Sequence, residues 1–196
     1  DIIIIPGSKN TIGDLLDLRK RGIAKAILQA HKAEKAIYGI CAGFQMMGKE
    51  VHDPYHVEGE INSVPGLGIL PHITTLTEEK VTEQCKFHFL GETQECIGYE
   101  IHMGETLLKE KNGLNKLKNG KTDGYFLNPK TWGTYIHGIF DNELIIRYII
   151  RENGPLELNA SINYAAFKEE QYDKLAKHVR ENVDMQAIYK SLQILH

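Results

Sequence analysis

A chain of 196 residues, 42% hydrophobic and 25% charged, is long enough for one well-packed domain and short for two. Its formal charge is -3, with Lys and Arg scattered among Asp and Glu, so no basic stripe invites a phosphate backbone and nucleic acid is not an expected partner. No apolar run nears the roughly 20 residues that span a bilayer, and no secretory leader opens the chain, so no membrane partner is expected either. Cys41, Cys85 and Cys96 are an odd set without CxxC spacing, which suggests neither a disulfide framework nor a zinc site and fits a reducing cytoplasm. His52 and His56 lie four apart but straddle Pro54 and lack the glutamate of HExxH, so they read as loop residues and no metal site is expected.

In chain order, Ile2 to Ile5 is a β-branched run suited to a strand buried on both faces, stopped by Pro6 and Gly7. From Thr11, Ile12, Leu15, Leu16, Ile23, Ile27 and Ala30 recur at helical spacing, with Gly22 dividing the run into two helices. Ala36 to Ile40 predicts a second strand and Ala42 to Val51 a helix, giving the strand-helix-strand-helix order of a parallel α/β sheet. The stretch from His52 to about Thr131 is rich in Gly, Asn, Thr and charge. It predicts long loops and antiparallel additions at Gly68 to Leu76, Lys86 to Leu90 and Ile97 to Met103. Thr131 to Phe140 reads as a strand and Asn142 to Glu152 as a helix. A helical tail follows, with Tyr172, Leu175, Ala176, Val179 and Val183, then Ile188, Leu192 and Leu195, in its apolar pattern. Opening without Met inside an apparent central strand, the chain reads as a piece of a longer polypeptide.

Gly39-Ile40-Cys41-Ala42-Gly43 has the pattern of a nucleophile elbow, in which glycines relieve crowding and leave room for the approaching carbonyl. A thiol there sits over a helix N-terminus, which favours thiolate and attack at neutral pH. A buried structural cysteine between packing glycines would read the same way from GxCxG alone. The functional reading gains from Gly133 to Gly138, where His137 ends a predicted strand, the place of a catalytic base in α/β sheets. Candidate oxyanion donors are the backbone N–H groups of Ala42 and of Gly7, in the turn after the first strand.

The segments PGSKNT (Pro6 to Thr11), GICAGFQMMG (Gly39 to Gly48), GYEIHMG (Gly98 to Gly104) and GTYIHGIFDN (Gly133 to Asn142), in this order, resemble the glutaminase domain of the cobyric acid synthase family, within the class I (triad) glutamine amidotransferases. The resemblance covers residues 1 to about 150, and the helical tail is also similar. It implies a three-layer α/β fold, flavodoxin-like, with a mostly parallel central sheet, extra antiparallel strands and a C-terminal helical extension. One amidotransferase domain would fill the chain, 1–153 as α/β core and 154–196 as extension. Cys41 would form a glutamyl thioester from L-glutamine, His137 would act as acid and base, and Ser8, Gln45, Glu100 and His102 would hold the glutamine. No cofactor is implied here. ATP and Mg²⁺ would serve a preceding synthetase domain that amidates a corrinoid, and no GxxxxGK[ST] occurs in this chain to bind them.

The wider superfamily carries an acid two places after its histidine, where Ile139 stands here, so a Cys-His dyad and slow hydrolysis without a partner domain are expected. Asp141 and Glu143 are close in sequence but need not face the ring. Three other readings share parts of this pattern: a glutaminase subunit that supplies ammonia for amidating peptidoglycan precursors, a non-catalytic amidotransferase-like domain, and a cysteine peptidase or esterase.

Overall fold

The computed structural model describes residues 2–107, 112–154 and 164–193. Two compact units, Asp1–Asn159 and Ala160–His196, are distinguished. The first runs β1 (Ile2–Ile5), α1 (Thr11–Lys20), α2 (Ile23–Lys32), β2 (Ala36–Ile40), α3 (Ala42–Met47), β3 (Glu50–His52), β4 (Ser63–Pro65), β5 (Ile73–Phe89) and β6 (Glu95–Leu107). It continues through β7 (Asn115–Leu117), β8 (Thr122–Asp123), β9 (Tyr125–Asn128), β10 (Thr131–Thr134), β11 (Ile136–His137), a 3₁₀ turn (Ile139–Asp141) and α4 (Glu143–Asn153).

β2 is the hub of a four-stranded sheet ordered β1-β2-β10-β9, with β1 and β10 parallel to β2 and β9 antiparallel to β10. Its side chains alternate between two cores. Ile37 joins Ile5, Leu15, Ile27, Phe44 and Met47 beneath α1 to α3, and Tyr38 joins Trp132, Phe87, Ile145 and Ile149 beneath α4. Burial on both faces is what its five apolar or small residues encode.

β1 departs from that expectation: it is an edge strand, with Ile3 and Ile5 turned to the first core while Ile2 and Ile4 are exposed. The helix expected from Ala42 to Val51 stops at Met47, because extended Gly48 packs against His72 and Lys49 N–H then bonds the His72 carbonyl, starting β3. The middle segments are longer strands than sequence suggests. β5 and β6 form one antiparallel ladder, with a register shift between Thr75 and Lys80.

The strand expected from Thr131 to Phe140 changes sheets at Tyr135: β10 pairs with β2, whereas β11 pairs with β6 in the second sheet, Ile136 opposite Glu100 and His137 opposite Tyr99. That transfer carries His137 past the C-terminal end of β2. The second unit holds α5 (Tyr164–Asn182) and α6 (Met185–Gln193). Tyr172, Leu175 and Val179 on α5, and Ile188 and Leu192 on α6, are exposed within it, and Leu195 lies outside the described residues. No helix among the described residues is long and apolar enough to cross a membrane.

Candidate active site

Cys41 joins β2 to α3 at φ 53° and ψ −114°, a backbone conformation that a non-glycine residue holds at a cost of about 1–3 kcal/mol. Its N–H bonds the Thr134 carbonyl at 2.8 Å, and its own carbonyl accepts the Gln45 N–H at 3.1 Å, so β10 and α3 together impose the turn. A Cβ on Gly43 would stand 1.9 Å from the Ile5 carbonyl oxygen, and one on Gly39 would stand 2.5 Å from Met47 Sδ and 2.8 Å from the Phe44 amide nitrogen. These two glycines therefore seat α3 on β1 and β2. Gly7, by contrast, is the glycine whose missing side chain leaves space beside both Cys41 and His137. A Cβ there would lie 3.1 Å from His137 Cε1, 3.4 Å from Cys41 Cβ and 3.9 Å from Cys41 Sγ. Sulfur, imidazole and the turn after β1 thus border one point in space.

His137 is held from β6. Its ring stacks on Tyr99 with centroids 5.2 Å apart and planes 8° from parallel, and the Ile101 carbonyl faces it. The same carbonyl accepts from Cys41 Sγ at 3.5 Å. Nε2 of His137 is buried without a hydrogen-bond partner. No carboxylate hydrogen bond to this ring is present among the described residues. Ile139 is buried in the second core, and Glu143 is engaged by Arg147 at 2.7 Å. Asn142 secures the turn after His137: its Nδ2 donates to the Ile97 and Ile139 carbonyls, at 2.9 and 3.0 Å, and its Oδ1 accepts the Ile97 N–H at 3.0 Å.

The thiolate expected over a helix N-terminus is not favoured. Burial pushes the Cys41 thiol up; the Ala42 N–H works in the opposite direction, and the charge of Glu58 adds to the rise. With six residues, α3 offers only a short row of peptide dipoles against that desolvation. Burial likewise lowers the His137 pKa, partly offset by the Ile101 carbonyl. Both shifts favour a neutral thiol beside a neutral imidazole.

A cavity of about 280 Å³ opens beside the sulfur, lined by Ser8, Lys9, Thr11, Cys41, Gln45, Val57, Glu58, Lys80, Ile101, His102 and Met103. Of the residues assigned to glutamine, Ser8, Gln45 and His102 line it. The Ser8 hydroxyl is committed to Asp14 and to the Asn10 N–H. Gln45 is buried, with Oε1 accepting from Thr11 at 3.0 Å and Nε2 donating to the Met103 carbonyl at 3.1 Å, so it braces the cavity floor. His102 stacks on Tyr135 at 3.9 Å. Glu100 does not line this cavity. It borders a neighbouring one with Glu83, Lys121 and Asp123, where burial and then the two acids raise its pKa to about 7. Sequence reading assigned no role to Glu58, Thr11, Tyr99 or Lys80: Thr11 and Tyr99 fall within the PGSKNT and GYEIHMG segments without being singled out there, and Glu58 and Lys80 belong to no motif.

Three comparisons relate the chain to known proteins. The model of the CobB/CobQ-like glutamine amidotransferase domain matches residues 1–145. Proteins named cobyric acid synthase from Phocaeicola vulgatus and Parabacteroides distasonis are each 50% identical, over 97% and 98% of this chain, but over only 39% and 40% of their own lengths. One from Caldanaerobacter subterraneus is 41% identical over 98% of this chain and 42% of its own. The chain thus spans about two fifths of the relatives it matches. A solved structure described as a glutamine amidotransferase superposes with a TM-score of 0.53 at 17% identity, covering 76% of each chain, a likeness of fold. This chain belongs to the CobB/CobQ-like glutamine amidotransferase domain family.

Proposed function

We propose that the chain hydrolyses L-glutamine through a thioester on Cys41 and supplies ammonia to an ATP-dependent synthetase. The observation that carries this reading is the shared point at Gly7, bordered by both Sγ and imidazole. A carboxamide brought to Sγ lies beside the imidazole, and the N–H groups of Ala42, which faces the sulfur, and of Gly7 are the donors assigned to its oxyanion.

Because the free pair is neutral, sulfur attacks the carboxamide carbon as its proton passes to the imidazole of His137. The oxyanion that forms is met by the two backbone N–H groups. Its collapse breaks the carbon–nitrogen bond as His137 returns the proton to nitrogen, releasing ammonia and leaving the glutamyl thioester. Water then attacks the thioester, His137 takes its proton, and that proton goes back to sulfur as glutamate leaves. Tyr99 and the Ile101 carbonyl hold the ring where the wider superfamily uses an acid. Ser8, Gln45 and His102 shape the cavity that receives the substrate. Glu100, assigned to glutamine from the resemblance, acts at most through β6, since it borders the neighbouring cavity.

The larger reaction we carry over as a proposal from relatives named cobyric acid synthase. The chain acts as one amidotransferase domain with an extension that carries α5 and α6. A synthetase domain of the same cytoplasmic polypeptide uses ATP and Mg²⁺ to activate corrin side-chain carboxylates. This chain supplies no P-loop, so ATP chemistry belongs outside it. Ammonia release from glutamine by this chain and by its Cys41→Ser form tests the first half. The expected result is slow release that the substitution abolishes; release that survives it refutes the thioester.

A further inference from the structure

We infer that Asn142 is a positioning residue for the proposed base: its side-chain carboxamide takes the place of a strand residue beyond His137 and fixes the imidazole against β6. This rests on the glutaminase reading and adds to it a residue that lines neither the cavity beside Cys41 nor its neighbour.

β11 is only two residues long, with Ile136 opposite Glu100 and His137 opposite Tyr99. The same antiparallel register would next set Gly138 against Gly98 and Ile139 against Ile97, but the chain turns away at Gly138, whose φ is 70°. The place opposite Ile97 is filled by the Asn142 side chain instead. Its Oδ1 accepts the Ile97 N–H at 3.0 Å and its Nδ2 donates to the Ile97 carbonyl at 2.9 Å, the paired exchange that a strand residue makes in an antiparallel ladder. Nδ2 also meets the carbonyls of Gly138 at 3.2 Å and Ile139 at 3.0 Å. One buried carboxamide therefore ties the turn that follows His137 to the strand that frames it.

Helix capping does not account for the residue type. Asn142 is the N-cap of α4, where an Asn side chain ordinarily accepts an N–H of the first helical turn, yet it makes no such bond. What its bonds hold is the frame of the ring. Two residues along β6 from Ile97 is Tyr99, stacked on His137, and two further is Ile101, whose carbonyl faces the imidazole and accepts from Cys41 Sγ. Gly98 keeps the two strands close, since a Cβ there would stand 2.7 Å from the His137 carbonyl oxygen. The imidazole is thus located by strand register, and Asn142 closes the ladder at the end where β11 stops. The residue two places after His137, buried Ile139, offers no polar group for that task.

Asn142→Asp separates positioning from capping. Asp caps a helix as well as Asn does, and its charge suits a helix N-terminus, but a carboxylate has no N–H to offer the three carbonyls. Ammonia release from glutamine is measured for wild type, Asn142→Asp and Asn142→Ala, with urea midpoints to establish that each is folded and with protection of Cys41 from iodoacetamide by glutamine. Both variants are expected to lose roughly 100-fold in kcat, as a misplacement of about 1 Å can cost. KM and the protection by glutamine should stay at wild-type values, because Asn142 does not line the cavity beside Cys41. Wild-type kcat in Asn142→Asp, or a loss that appears in KM and not in kcat, overturns the inference. Unfolding of both variants overturns it as well, because the residue would then hold the fold and not the ring. If glutamine neither releases ammonia nor protects Cys41 in the wild type, the glutaminase reading itself fails, and this inference with it.

Discussion

Gly43→Ala adds one carbon to the tightest contact of the elbow. The new Cβ would stand 1.9 Å from the Ile5 carbonyl oxygen, 2.6 Å from the Ile5 carbonyl carbon and 2.9 Å from the Pro6 carbonyl oxygen. All three are backbone atoms, so no side chain can swing aside. To reach even a short van der Waals separation, α3 must retreat from β1 by about 1 Å. Overpacking ordinarily costs about 1–3 kcal/mol, and a rigid strand end puts this substitution at about 3 kcal/mol or above. The same retreat shifts Cys41 against His137 and Gly7, and a misplacement of about 1 Å can cost on the order of 100-fold in rate. Urea denaturation reads the first effect, and the rate of Cys41 labelling by a glutamine-analogue electrophile reads the second. Labelling reports Cys41 selectively, because burial pushes the thiols of Cys85 and Cys96 up to about 12 and about 11. Gly22→Ala is the control: its φ of 76° makes the substitution cost about 1–2 kcal/mol, but nothing lies within 4 Å of the added carbon, so labelling should not change. A Gly43→Ala protein with wild-type stability and labelling would refute the claim that this glycine seats the elbow.

Two further expectations concern pH. Since burial raises the Cys41 pKa and lowers that of His137, iodoacetamide labelling of the free protein should climb through neutrality, with a midpoint above the ordinary thiol value of about 8.5; a midpoint at or below neutrality would mean a preformed ion pair. His72 is buried, its Nε2 donates to the Phe44 carbonyl at 3.0 Å, and burial lowers its pKa from 6.5 to about 4. Between those values the unfolded chain binds the proton that the folded chain refuses, so stability falls as pH drops through this window, by about 3 kcal/mol at most. Urea midpoints of wild type and His72→Phe, compared from pH 7 to pH 4, should diverge by that slope, and parallel curves would assign the acid sensitivity elsewhere.

What the sequence made legible is what repeats or what is covalently local. The apolar spacing of Leu15 and Ile27, broken at left-handed Gly22, marks two helices, and the small and apolar run from Ala36 to Ile40 marks a strand that the structure buries on both faces. Cys41 was legible as an elbow because its neighbours are small. Ile2 and Ile4 misled because β-branching reports strand character but not whether a neighbour covers the strand. Glu100 and His102, two apart on β6, were read as one wall. His102 borders both cavities and Glu100 only the second, a division fixed by what packs around the strand.

The partners of Cys41 and His137 were illegible for a single physical reason: they act through backbone or through loops that other buried groups shape. The Ile101 carbonyl would be present whatever residue stood at 101, and the residue two places after His137, where an acid is usual, went to the core as Ile139. Glu58 owes its position to Asp53, whose role emerges only when its two amide bonds are seen. The imidazole is faced by the Ile101 carbonyl and stacked on the Tyr99 ring, both from β6, and β6 is held in place by its pairing with β5 and by Asn142. The proposed dyad, built this way, depends on strand register, so changes that shift β6 should slow ammonia release from glutamine even when they touch neither Cys41 nor His137.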